Sequence, residues 1–235
     1  MKILRKPLTI AIDGPAGAGK STVARSLASR LELPYVDSGA TYRAAALKVL
    51  ESGVSRANTR AVVDVVDHAE IEFVKVGGDW RVRLDGRDVT PLIRTLPVTS
   101  AAAEVSRLPE VRRKLVALQR SLMADRGVVM EGRDIGTVVF PEAALKIFLG
   151  ADPAERARRR LEQDEAEGHG SSLSETANEI HRRDQLDAQR KVSPLVPAED
   201  AICIDSTHLT AEEVVEQILE LAREKMLIGA GPPEA

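Results

Sequence analysis

The run Gly14-Pro15-Ala16-Gly17-Ala18-Gly19-Lys20-Ser21-Thr22 brings together residue types that can hold a polyphosphate. It fits the pattern G-x-x-x-x-G-K-[ST], and the chemistry requires these types. Glycines let successive backbone N–H groups curl around a phosphate with no side chain in the way. The helix that follows adds the positive end of its dipole. Lys20 is placed to reach the β- and γ-phosphates, and the Ser21 hydroxyl to ligate Mg²⁺. The pattern implies that a nucleoside triphosphate binds here.

Other members of the phosphate-loop group carry features this chain lacks. A GTPase switch needs an N-K-x-D guanine reader, and neither Asn58 nor Asn178 begins one. Motor and helicase ATPases usually close a strand with an acidic pair, whereas Val128-Val129-Met130-Glu131 offers Glu131 alone before Gly132-Arg133-Asp134. Arginine is abundant instead: of 33 basic residues nine are lysines and 24 are arginines. Arg43, Arg133, the cluster Arg156, Arg158, Arg159 and Arg160, and Arg183 with Arg190 stand at loops and helix starts. Transfer of a phosphoryl group between two anions gathers negative charge, so a kinase with a phosphorylated acceptor needs many fixed cations. Arg156, Arg159 and Arg160 are one helical turn apart, so their guanidinium groups can converge. The same spacing also suits a solvated helix face, and an arginine-rich codon usage would raise the count without any function.

The elements that must position these residues alternate. Residues 8–13 read as a buried strand, and 19–33 as a helix with Val23, Leu27 and Leu31 on one face. Residues 34–37 form a short strand, and a second helix starts at Gly39 and runs through residue 50. This order implies an α/β chain with a parallel sheet covered on both faces. From 71 to 94 the period changes to two, with turns at Gly77-Gly78-Asp79 and Asp85-Gly86, which predicts an antiparallel hairpin insert. Helix is expected over 99–126 with an interruption near Pro109. A central strand follows at 127–130 and another at 144–150, and Asp152-Pro153 opens a further helix as N-cap and N1. Residues 163–174 read as a flexible turn, 174–190 as helix, 201–205 as strand, 211–226 as the last helix and 229–235 as a frayed tail.

Composition sets the outer bounds. The 235 residues suit one large domain or a core with insertions, and 43% hydrophobic against 29% charged residues can bury a core. Aromatics make up only 3%, so aliphatic residues must fill it. A net charge of -3 argues against a nucleic-acid or membrane binder working through bulk positive charge. The lone Cys203 excludes an internal disulfide or a multi-Cys zinc site and fits a reducing compartment. No apolar run approaches membrane length, and the basic, aliphatic start is broken by Pro7. A cytoplasmic protein is the expectation.

Ile12-Asp13-Gly14-Pro15, Asp37-Ser38-Gly39-Ala40-Thr41-Tyr42-Arg43, Ile93-Arg94-Thr95, Glu131-Gly132-Arg133-Asp134-Ile135-Gly136-Thr137-Val138-Val139-Phe140-Pro141 and Arg183-Asp184 through Pro194-Leu195 resemble the bacterial cytidylate kinase family. The likeness runs in order through nearly the whole chain. It implies ATP- and Mg²⁺-dependent phosphorylation of CMP and dCMP by a monomer, on a P-loop nucleoside monophosphate kinase fold. That fold has a five-stranded parallel core (residues 1–63 and 104–235), an antiparallel β insert (64–103) that binds the monophosphate, and a short helical lid (152–170). Carried over, the resemblance gives Ser38, Arg43 and Arg133 to the acceptor phosphate, and Arg112 and Asp134 to the cytosine edge. It gives Arg183, Asp187 and Arg190 to ribose and phosphates, and Arg156, Arg159 and Arg160 to the transferred group beside Lys20. A carboxylate accepting from the exocyclic amine would prefer cytosine to uracil. Asp187 and Arg190, at i and i+3, could also simply pair with each other. One position departs from the family pattern: Ala103 stands where a serine usually meets the base, which bears on pyrimidine selectivity.

Overall fold

The computed structural model describes residues 8–77, 79–122, 127–166, 170, 172–190, 192–225 and 227–228. Residues 1–7, Gly78, residues 123–126 at the end of the helix expected over 99–126, Lys191, Met226, the tail 229–235 and part of the turn expected at 163–174 lie outside the described residues. The elements in chain order are β1 (Thr9–Asp13), α1 (Lys20–Arg30), β2 (Tyr35–Asp37), α2 (Ser38–Ser52), α3 (Thr59–Asp67), β3 (Ile71–Val76), β4 (Asp79–Leu84) and β5 (Arg87–Asp88). They continue with α4 (Leu96–Val105), α5 (Pro109–Ser121), β6 (Val128–Gly132), β7 (Leu145–Gly150), α6 (Pro153–Ala166), α7 (Leu173–Ala188), β8 (Ile202–Asp205) and α8 (Ala211–Glu224).

The chain divides into two compact units, Met1–Val36 with Asp125–Ala235, and Asp37–Ala124. The five-stranded sheet of the first unit is ordered β2-β6-β1-β7-β8. The pairs β1–β6, β1–β7 and β7–β8 run parallel. The apolar run predicted for the first strand arises because β1 lies at the centre with strands on both edges. Ile10, Ile12, Leu145, Ile147 and Leu149 meet α1 through Val23, Ala24, Leu27 and Ala28, and α8 through Val214, Val215, Ile218 and Leu219. Burying each large aliphatic chain contributes ~1.5–3 kcal/mol. Register brings Asp13 level with Gly132 and with Phe148, so the loops after β1, β6 and β7 emerge together.

In the second unit the hairpin forms as read, with β3 and β4 antiparallel and Phe73 opposite Val82. Buried Ile71, Val82 and Leu84 join Ala44, Ala45, Ala46, Val98 and Leu115 in its core. The small residues of α2 let α4 pack against it. Helix α3 is absent from the elements expected above. Its signals are Asn58, whose side chain accepts from the Ala61 N–H as N-cap, and buried Val62 and Val66 at i, i+4. Two boundaries shift. The helix expected from residue 99 begins at Leu96, where Pro97 occupies the first turn. The flexible turn expected from residue 163 is helical up to Ala166, held by i, i+4 pairs Arg158–Glu162 and Arg160–Asp164.

Candidate active site

The phosphate loop is fixed by close approach. Gly14 has φ +150°, and a Cβ there would lie 2.0 Å from the Leu149 carbonyl oxygen. Gly17, at φ +76°, presses on α6 so that a Cβ would sit 2.7 Å from the Arg156 carbonyl oxygen. Neither position admits a side chain. Ser21 and Thr22 are exposed on the first turn of α1, while Lys20 is buried and donates from Nζ to the Pro15 carbonyl at 2.7 Å. Burial, with Arg133 next, pulls the Lys20 ammonium down to about 7, and Glu131, Arg183 and Asp13 also act on it. An anionic ligand at this loop would reverse that pull.

Around Lys20 the carboxylates are ordered. Asp13 accepts from the Ile135 N–H at 2.8 Å and the Gly136 N–H at 2.7 Å, tying the end of β1 to the π-helical turn Ile135–Val139. Burial pushes the Asp13 carboxyl up to about 6 against those two hydrogen bonds. Glu131, also buried, accepts from the Tyr35 hydroxyl at 2.7 Å. Asp134, buried, precedes the turn, and its carbonyl accepts from the Val138 and Val139 N–H groups.

The arginines of this unit are not loose charges. Arg133 Nε donates to Asp187 at 2.8 Å, and Arg190 pairs with the other oxygen of the same carboxylate. Burial opposes ionisation of Asp187, and the Arg133 and Arg190 charges outweigh it, holding its carboxyl below the usual range. The i, i+3 pairing weighed above is therefore formed. Arg183 stands on α7 close enough to influence both Lys20 and Asp187. Arg156, Arg159 and Arg160, expected to converge, each have acceptors of their own, and Arg159 and Arg160 line one cleft. Arg156 is buried and bonds to Ala16, Ala151 and Asp184. Arg159 donates to Glu155 and to Ser206 at both Oγ and the carbonyl. Arg160 pairs with Asp164 at 2.9 Å. A cleft of about 690 Å³ opens between Gly17–Val23 of the loop and α1, Arg159 and Arg160 of α6, and Ser206 and Thr207. Its size suits a nucleotide.

The second unit holds the other predicted residues. Ser38 is buried at the start of α2, its carbonyl accepting from Thr41 Oγ1 at 2.7 Å. Asp37 caps that helix through the Ala40 N–H and accepts from Arg43 Nη2 at 2.5 Å, with Arg94 at 3.9 Å. Burial opposes its ionisation, and the Arg43 and Arg94 charges prevail to hold its carboxyl low. Arg43 Nε is buried with no acceptor. Arg112, buried on α5, donates to the Ser106 carbonyl at 3.2 Å and lies over the Tyr42 ring. Ala103 is partly buried in α4, and its carbonyl takes the Ser106 hydroxyl at 3.1 Å.

With this geometry in place, comparison with known proteins is decisive. A family model described as cytidylate kinase matches residues 10–224. The chain belongs to the cytidylate kinase family. It is 48% identical over 216 residues to a cytidylate kinase of Caldicellulosiruptor saccharolyticus, covering 92% of this chain and 96% of that one. A cytidylate kinase of Carboxydothermus hydrogenoformans is 48% identical over 218 residues, covering 93% and 98%. Among solved structures, an uncharacterised protein of Eubacterium ventriosum matches with a TM-score of 0.51 at 12% identity, covering 92% of this chain and 98% of that one, a likeness of fold alone. Membership of the family makes the chain a phosphotransferase.

Sequence reasoning missed four residues that order this site: Asp13, Tyr35, Asp184 and Ser206. Their partners lie 28 to 188 residues away along the chain, and no local pattern marks such pairs.

Proposed function

We propose that this chain transfers the γ-phosphoryl group of ATP to the phosphate of CMP or dCMP, giving CDP or dCDP and ADP. The observation that carries the reading is a phosphate loop whose buried Lys20 is surrounded by Arg133, Arg183, Asp13 and Glu131, in a chain of this family. Lys20 would leave the Pro15 carbonyl for the β- and γ-phosphates, while the loop N–H groups and the α1 N-terminus hold the donor. The residues suit Mg²⁺: a hard cation takes oxygen donors, and the exposed Ser21 hydroxyl follows Lys20 directly, the residue on which the Asp13 and Glu131 carboxylates act. Bound there, Mg²⁺ would neutralise charge on the transferring phosphates.

On the acceptor side, Arg43 offers a buried Nε donor without a partner, which an acceptor phosphate would satisfy, with Ser38 five residues earlier on α2. Arg133 serves the acceptor phosphate, Asp134 and Arg112 read the cytosine edge, and Arg183, Asp187 and Arg190 serve ribose and phosphates. Asp187, held by two arginines, acts by fixing Arg133 and Arg190. Arg159 and Arg160 line the donor cleft. No general base is needed, because the acceptor is already an anion, and catalysis reduces to positioning and charge neutralisation. A monomer acting on free nucleotides in the cytoplasm completes the reading. No helix among the described residues is long and apolar enough to cross a membrane.

The test is coupled ADP release from ATP·Mg²⁺ with CMP, dCMP, UMP, AMP, GMP and dTMP, wild type beside Ala103→Ser. Preferred turnover of CMP and dCMP is expected. The added hydroxyl should raise the preference for CMP over UMP a few-fold, equivalent to one hydrogen bond of about 1 kcal/mol. ATP binding without ADP release for any acceptor would overturn the kinase assignment.

A further inference from the structure

Arg156 is the most buried arginine of α6, and it bonds to the phosphate loop and does not line the donor cleft. Its side chain is 8% exposed. Nη1 donates to the Ala16 carbonyl at 3.1 Å and to Asp184 Oδ2 at 2.6 Å, and Nε donates to the Ala151 carbonyl at 3.0 Å. One guanidinium thus joins the loop, the β7–α6 connection and α7. Its own backbone abuts Gly17 from the same side.

The consequence follows from peptide geometry. In a trans peptide the C=O and N–H point in opposite directions, and the unit rotates as a plate. Fixing the Ala16 oxygen outward therefore aims the Gly17 N–H into the loop. One other plate of the loop is held by a side chain outside it. The Ser206 hydroxyl, oriented by Arg159, is shared between the Gly150 and Ala18 carbonyls at 3.0 and 3.3 Å, which aims the Gly19 N–H. The Pro15 carbonyl is held by Lys20 only until a phosphate draws that ammonium away, so it is not one of these anchors. Glycines leave these plates free to rotate, so the anion-binding form needs outside anchors.

We propose that Arg156 is a positioning residue: it holds the Ala16–Gly17 peptide in its anion-binding orientation, with Asp184 anchoring the guanidinium, and does not itself meet the transferred phosphoryl group. This rests on the phosphate-loop reading above.

Calorimetric titration with ATP and with ADP, each with Mg²⁺, tests this alongside steady-state kinetics. In Arg156→Met both dissociation constants should rise together, by about 10- to 100-fold, the worth of a hydrogen bond to a charged phosphate. KM for the monophosphate acceptor should change less than threefold. Arg156→Lys should not restore binding, because one nitrogen cannot reach three acceptors on separate elements. Asp184→Asn, which keeps both carbonyl bonds, should weaken both nucleotides by about 3- to 10-fold, and it carries the test if Arg156→Met does not fold. A loss confined to ATP, or to kcat with both dissociation constants unchanged, would show direct contact with the transferred group and overturn the proposal. So would unchanged binding in both variants. A wild type that binds neither nucleotide would overturn the phosphate-loop reading itself.

Discussion

Asp13 should make stability fall, not rise, between about pH 4 and pH 6. Its carboxyl ordinarily titrates at 3.8 and is pushed up to about 6 in the folded protein, by burial first, with the neighbouring Asp134 charge in the same direction. The Ile135 and Gly136 N–H groups and Lys20 oppose the rise and do not cancel it. Between the two values the folded chain holds a proton that the unfolded chain has lost, so raising the pH favours unfolding. About two pH units at ~1.4 kcal/mol each gives a loss of about 3 kcal/mol, complete by pH 7.

The assay is urea unfolding of wild type and Asp13→Asn at half-unit steps from pH 4 to pH 7, without nucleotide. The difference between the two curves isolates this group. Other shifted carboxylates are present in both proteins and cancel in that difference: Glu155, drawn to about 2, and Asp187 and Asp37, held low, favour folding as the pH rises to about 5, while Lys20, at about 7, titrates at the upper limit. Wild type should lose about 3 kcal/mol relative to the variant across the range. A constant offset of ~1 kcal/mol is expected besides, because an amide oxygen can serve only one of the two N–H groups. A difference that does not vary with pH would refute the reasoning, since it would mean that Asp13 titrates alike in both states.

Two further changes probe the site and its frame. Asp134→Asn should lower kcat/KM for CMP by about 10- to 100-fold and narrow the CMP-to-UMP ratio, read by coupled ADP release, because an amide can donate where uracil offers a carbonyl. Lys114 donates to the Val66, Asp67 and Ala69 carbonyls at 2.5, 2.5 and 3.2 Å and so closes the C-terminal end of α3. Lys114→Met should cost about 1–2 kcal/mol, a fall of a few degrees in Tm by calorimetry, with turnover unchanged.

What was legible in the sequence was what local chemistry decides. The phosphate loop declares itself because the residues that bind phosphate are also those that make the turn, and the β4–β5 turn because Asp85-Gly86 directly follow period-two alternation. The irregular turn Ile135–Val139 is different: its first two N–H groups are satisfied by Asp13, 122 and 123 residues earlier, so nothing within the turn reports its shape. The arginine cluster on α6 shows the same limit more sharply. Spacing gave Arg156, Arg159 and Arg160 as neighbours on one helix, which they are, but direction is set by what each guanidinium finds. Arg156 finds two backbone carbonyls and Asp184, Arg159 finds Glu155 and Ser206, and Arg160 finds Asp164. A buried cation must take the acceptors that burial brings to it. Two of these three arginines are thereby bonded to the phosphate loop or to the serine that steadies it, so a residue type suited to phosphate can serve phosphate binding through the backbone.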